Sequence, residues 1–145
     1  MHQKLIFTAV ILFFCQIAMA GTCPSLTDIK HNRLHGWKAY DSVSHQPLAN
    51  ARIAMLKKYA AQFVLAEWPD SQRKTGAIRC YYRDKEGSDF QAYFSKSNLV
   101  PTDLKNDWYQ VTGSTDCAAN INKCSFQALP TTTPHHLAKA AGATG

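Results

Sequence analysis

The chain lacks the signatures that announce most enzymes. There is no G-x-S-x-G elbow to present a nucleophilic serine, and no glycine-rich phosphate loop. No C-x-x-C pair occurs, which argues against a thioredoxin-like oxidoreductase. Together with irregular cysteine spacing, that gap also argues against a zinc site. No internal repeat is present. Acidic residues are the scarcer charge, 10 against 16 basic ones, for a formal net charge of +6. The excess is spread along the chain. Its densest groups are Lys57-Lys58, Arg73-Lys74 and the set Arg79, Arg83 and Lys85. A nucleic-acid surface needs a tighter basic stripe interleaved with aromatics, so a solvated positive face is the expectation.

Long apolar runs are missing too, with one exception at the start. Lys4 precedes an apolar stretch, Leu5 to Ala20, that is short for a membrane span. The stretch closes on Ala18-Met19-Ala20, a small-x-small cleavage pattern, which makes residues 1–20 a signal peptide and Gly21 the mature N-terminus. An exported chain with no stable membrane insertion after cleavage follows, and a periplasmic location with it. Cys15 leaves with the leader. Cys23, Cys80, Cys117 and Cys124 remain, an even set that reads as two disulfides in an oxidising compartment. Each crosslink contributes about 2–4 kcal/mol, mainly by constraining the unfolded chain. Cys117 and Cys124 flank a plausible turn, which would leave Cys23 for Cys80. Pairings of Cys23 with Cys117 or Cys124 remain open.

After Leu129 the chain turns small, polar and proline-punctuated, so residues 130–145 are expected to be a disordered tail. A single domain over residues 21–129 is left. Pro24 to Ile29 suggests a short helical turn with Ser25 as its cap. Arg33 to Tyr40 suggests a strand, and Asp41 to Pro47 a loop. Ala49, Ile53, Leu56, Ala60 and Phe63 recur at the helical period, predicting a helix from Leu48 to Ala61. Gln62 to Trp68 and Ala77 to Arg83 read as strands of a hairpin around Asp70 to Gly76. Phe90 to Phe94, Trp108 to Val111 and Cys124 to Leu129 add further strands. The expected fold is α+β: an antiparallel sheet of about five strands with one main helix across one side, stapled by two disulfides.

Candidate chemistry is sparse. His31 and His35 have helical ligand spacing, but Gly36-Trp37 follows and no carboxylate completes a set. His135-His136 lies in the tail. Glu67, Asp70, Asp84, Glu86, Asp89, Asp103, Asp107 and Asp116 are the available carboxylates, mostly at turn positions where Asp bends backbone. Glu67, beside Trp68 in an apolar run, is read as a strand residue on the solvent face rather than a buried acid. No catalytic residue, metal or cofactor is assigned. In the run Ala77–Arg83, Ile78, Cys80 and Tyr82 share one face and Arg79, Tyr81 and Arg83 the other. That second set is the nominated partner-binding face, because Tyr, Trp and Arg concentrate binding energy.

With those residues in place, the chain resembles the EirA family, small exported proteins associated with the Dot/Icm-type IVB secretion system of intracellular Gram-negative pathogens. The resemblance rests on Cys23-Pro24-Ser25-Leu26-Thr27-Asp28-Ile29-Lys30, Gly36-Trp37, Ala66-Glu67-Trp68 and Cys80-Tyr81-Tyr82. It continues through Trp108 and from Cys117 to Cys124-Ser125-Phe126. These cover most of the mature domain and none of the tail. The resemblance implies a non-enzymatic periplasmic accessory protein that supports effector translocation by contact with secretion-apparatus or other envelope proteins. It also implies a homodimer, which a sheet edge could mediate, and it brings no catalytic residues. A small exported inhibitor or binder of a hydrolase, using the loop Asp70–Gly76, is the alternative.

Overall fold

The computed structural model describes residues 21–130. The signal peptide and nearly all of the tail expected from sequence lie outside those residues. The described chain is α+β. Helix α1 (Leu26–Lys30) begins where Ser25 accepts a hydrogen bond from the Asp28 amide at 3.1 Å, satisfying one of the amide donors left free at a helix start. Ser25, and next Arg33, hold the Asp28 carboxyl below the usual range. Ile29 is the buried residue of this turn.

Strand β1 covers Lys38–Asp41, later and shorter than the expected run from Arg33. The reason is local. Asn32 and His35 take positive φ, and Gly36 follows at φ +89°, so the backbone coils until Trp37. Helix α2 (Asn50–Tyr59) matches the strongest helical period in the sequence but is trimmed at both ends. Ala49, expected in the apolar stripe, is the exposed N-cap, whereas Leu48, Leu56 and Ala60 are buried. Lys57 and Lys58 occupy the last turn, where cations suit the helix dipole. Arg52 fastens the helix to the sheet. It donates to Asp41 at 2.5 Å and to the Phe90 and Gln91 carbonyls at 3.1 Å.

The expected hairpin is present as β2 (Gln62–Pro69) and β3 (Ile78–Arg83), with a register irregularity between Phe63 and Leu65 that leaves Val64 unpaired on that side. Strands β4 (Ala92–Lys96), β6 (Tyr109–Val111) and β7 (Ser114–Cys117) complete a six-stranded antiparallel sheet in the order β1-β4-β3-β2-β7-β6. Strand β5 (Leu99–Pro101) pairs with β8 (Phe126–Ala128) in a separate two-stranded ladder. Of the run Cys124–Leu129, expected as a strand of one sheet, only Phe126–Ala128 form a strand, and it belongs to this second ladder. Gly21 joins it through reciprocal backbone bonds with Phe126. The two sheets meet closely at Gly76, whose amide neighbourhood touches Leu99. Gly76 has φ +61°, and a side chain there would collide with the Leu99 backbone.

The disulfides are Cys23–Cys80 and Cys117–Cys124, with Cα atoms 5.8 and 5.5 Å apart. The first ties the N-terminal segment to a central strand. The second closes the turn between β7 and the second ladder. All four cysteines lie in one core with Ile29, Leu56, Ala66, Ile78, Tyr82, Phe94, Trp108 and Phe126. Among the described residues, no helix is long and apolar enough to cross a membrane.

Candidate contact face on the outer side of the sheet

Alternation along β3 divides its side chains. Ile78, Cys80 and Tyr82 enter the core, while Arg79, Tyr81 and Arg83 stand on the other face, half-buried. The six-stranded register extends that outer face into two parallel rows. One row crosses every strand: Lys38 on β1, Ser95 on β4, Arg79 on β3, Glu67 on β2, Asp116 on β7 and Tyr109 on β6. It runs from cationic to anionic. The second row is mostly aromatic. Tyr40 pairs with Tyr93 across β1 and β4, and Tyr81 pairs with Leu65 across β3 and β2. Ring contacts close the gap between these pairs. Tyr40 stacks on Tyr93 with centroids 5.7 Å apart, and Tyr93 meets Tyr81 at 5.5 Å.

Arg79 is the junction of the two rows. Its guanidinium lies 4.9 Å over the Tyr93 ring and donates to Glu67 at 3.2 Å. Tyr81 donates its hydroxyl to the same Glu67 oxygen, also at 3.2 Å. The Arg79 and Glu67 side chains are only 16 % and 21 % exposed, so this ion pair sits in a lower dielectric than the other ion pairs of the domain. Burial pushes the Tyr81 hydroxyl pKa up, and the Glu67 charge adds to the effect. Burial also raises the Tyr93 hydroxyl pKa, against the pull of Arg79. His45 caps this cluster, its Nδ1 lying 3.1 Å from the Tyr93 hydroxyl. Tyr93 is 4 % exposed yet lies outside the main core, so the outer face has a small packed centre of its own.

Two grooves are lined by members of the Arg79–Tyr93–Tyr81 cluster. One, of about 210 Å³, is polar and lined by Tyr40, His45, Gln72, Arg79, Tyr93 and Ser95 among others. The other, of about 290 Å³, is more apolar. It lies where Val64 leaves the ladder, between Leu65, Tyr81 and Ala92, with Arg83 and Asp89 on its wall. Those two charges bond each other at 3.2 Å.

The nominated set Arg79, Tyr81 and Arg83 is thus brought onto one face, but its members differ. Arg79 and Tyr81 are locked into a network, and Arg83 is the more open cation, paired with Asp89. Glu67 stands on the outer face as a strand residue, as the sequence suggested, but its side chain is only 21 % exposed, covered by its bonds with Arg79 and Tyr81 rather than open to solvent. Tyr40, Tyr93 and His45 were missed as site residues. Tyr93 did carry a signal, alternating with Ala92 and Phe94, but Tyr40 and His45 reach it only because β1 pairs with β4, a distant pairing. His31 and His35 are not brought together as ligands: His31 Nδ1 bonds the Thr27 carbonyl at 2.8 Å and caps α1, and His35 lies in the positive-φ turn. Among the described residues, no group of three His, Cys, Asp or Glu side chains could hold a metal ion. His135 and His136 lie outside those residues. The loop Asp70–Gly76 is folded back: Arg73 stacks 4.9 Å over Trp68, and Thr75 and Gly76 carbonyls accept from Asn98 and Leu99.

Compared with protein-family models, curated proteins and solved structures, the chain matches none.

Proposed function

We propose that this is an exported, non-enzymatic accessory protein of the envelope that acts by protein–protein contact, in support of type IVB effector translocation in the periplasm. The observation that carries the contact reading is the outer face: Arg79 and three tyrosines held on one side of a sheet by a mostly buried ion pair and ring contacts, with the more open Arg83 beside them. Residues of these types carry most of the energy in protein interfaces when they sit beside grooves that exclude water. The crosslinked core supports it by presenting this face on a rigid frame, and two disulfides suit an oxidising compartment. The secretion role itself comes from the family resemblance. The hydrolase-inhibitor alternative leaned on a projecting loop at Asp70–Gly76, and the folded-back geometry of that loop gives it less support.

The test is a crosslinking pull-down of the tagged mature chain from the envelope of its own host, read by mass spectrometry. The expected result is recovery of secretion-apparatus subunits, lost when Arg79 and Arg83 are reversed to Glu. Recovery of a single soluble hydrolase, or full effector translocation in a deletion strain, would overturn the proposal.

A further inference from the structure

The polar groove beside Arg79 has an uneven charge. None of the polar side chains lining it is a carboxylate: they are Tyr40, His45, Gln72, Tyr93, Ser95, Ser97 and Arg79 itself. The carboxylate that holds Arg79, Glu67, does not line the groove. Lys38 stands next along the same row, directly across from Ser95 on β1. A guanidinium carries five N–H donors. Among the described residues, Arg79 donates to Glu67 through Nη1 and also acts on the Tyr81 hydroxyl, and none of its nitrogens is both buried and without a partner. The side chain is nonetheless 16 % exposed and pinned over Tyr93. It is therefore a pre-oriented cation with donors to spare, in a concave site rich in hydroxyl donors. Ordering a free arginine on binding costs side-chain entropy. Here folding has already met that cost.

We propose that this groove is a carboxylate-binding site, in which Arg79 receives one carboxylate of a partner protein while Ser95, His45 and the Tyr40 and Tyr93 hydroxyls bind the polar atoms beside it. The inference deepens the contact reading above and rests on it: it names what the partner presents. A peptide C-terminus and an Asp or Glu side chain offer the same chemistry. The more apolar groove near Val64 does not share it, because Asp89 sets a carboxylate on its own wall beside Arg83, whereas Glu67, the partner of Arg79, lies outside the polar groove.

The experiment is an amide chemical-shift titration of the isotope-labelled mature chain with three probes. Acetyl-Ala-Ala carries a free C-terminal carboxylate, acetyl-Ala-Ala-amide carries none, and acetyl-Ala-Glu-Ala-amide carries one on a side chain. Saturable shifts confined to residues around Tyr93, Ser95 and Ala77 are expected with a carboxylate probe, about tenfold weaker with the amide. Whichever acid binds tighter identifies the source. Arg79→Lys keeps the charge but loses the fork and should weaken binding about fivefold. Ser95→Ala, with Arg79 and its partners untouched, should give a smaller loss with an unchanged spectrum elsewhere. Equal affinity for acid and amide, the absence of saturable shifts, or shifts centred on Lys30, Lys58 and Lys85 would overturn the inference. If the groove is silent while envelope partners are still captured and lost on Arg83→Glu, the contact reading survives on its Tyr81–Arg83 half. If both fail, both readings fall.

Discussion

Ile78, Cys80 and Tyr82 leave one side of β3 and Arg79, Tyr81 and Arg83 leave the other, and different forces hold the two sides. On the inner side the strand is crosslinked through Cys80, packed against Phe94 and tied to the N-terminal segment by the Tyr82 hydroxyl, which donates to the Pro24 carbonyl at 2.5 Å. Burial of apolar surface dominates there, and it is indifferent to orientation. On the outer side the contacts are directional: a guanidinium over a ring, a shared carboxylate oxygen, and tyrosine rings stacked or tilted against one another. One side makes the domain stable. The other makes a surface with a fixed shape, which is what recognition requires.

The largest expected break is on the inner side. Replacing Cys23 and Cys80 together by Ser reopens a sequence separation of 57 residues and should cost about 4 kcal/mol in urea unfolding. The same change at Cys117 and Cys124, which span 7, should cost about 2–3 kcal/mol. Tyr93→Ala tests whether the outer face has a packed centre: a loss of about 3 kcal/mol is expected, and a loss below about 1 kcal/mol would reduce that centre to a surface contact. A double-mutant cycle on Glu67→Gln and Arg79→Gln should give coupling of about 1 kcal/mol, the pair being mostly buried. The exposed Arg83–Asp89 pair should give about 0–0.5 kcal/mol.

The effects of pH reach both sides. Burial raises the hydroxyl pKa values of Tyr82 on the inner side and of Tyr81 and Tyr93 on the outer. A folded value above the unfolded one means that the unfolded chain loses its proton first. The resulting stability is fully present below about pH 10 and is lost as pH climbs through the folded values. Thermal melts should therefore fall above that pH, and Tyr82→Phe should flatten the decline. At the acid end, Arg52 first, and then the amides of Ser44 and Val43, hold the Asp41 carboxyl well below its usual range. Its contribution is present above about pH 4 and lost as pH falls through the folded value. Arg52→Ala should weaken that acid sensitivity.

What could be read in the sequence follows from which elements state their own pattern. Ile78, Cys80 and Tyr82 alternate cleanly with Arg79, Tyr81 and Arg83, and Leu56 and Ala60 sit at helical spacing, so β3 and α2 were legible, as was the α+β class. The local cysteine pair pointed to a turn closed by Cys117 and Cys124. Strand β7 was not legible. Ser114-Thr115-Asp116-Cys117 has no apolar alternation, and Ser114 and Thr115 are buried as polar residues, with Ser114 bonding Asp116 and Thr115 bonding Gln110. Strand β5 ends in Pro101, which sequence reads as a breaker. The outer face was half legible. Arg79, Tyr81 and Arg83 lie on one strand and announce their shared side. Tyr40, Tyr93 and His45 join them through β1–β4 pairing, and long-range pairing leaves no local mark.

The order of the cysteines also bears on how the chain matures. Among the described residues, the first cysteine joins the second and the third joins the fourth. On the proposed export, with residues 1–20 and their Cys15 removed, a chain delivered from its N-terminus offers Cys23 no partner until Cys80 arrives, and Cys80 is the native one. Cys117 and Cys124 then emerge almost together, after the earlier thiols are already joined. An oxidant that links thiols as they appear makes both native bonds at the first attempt, and thiol–disulfide exchange has nothing to correct.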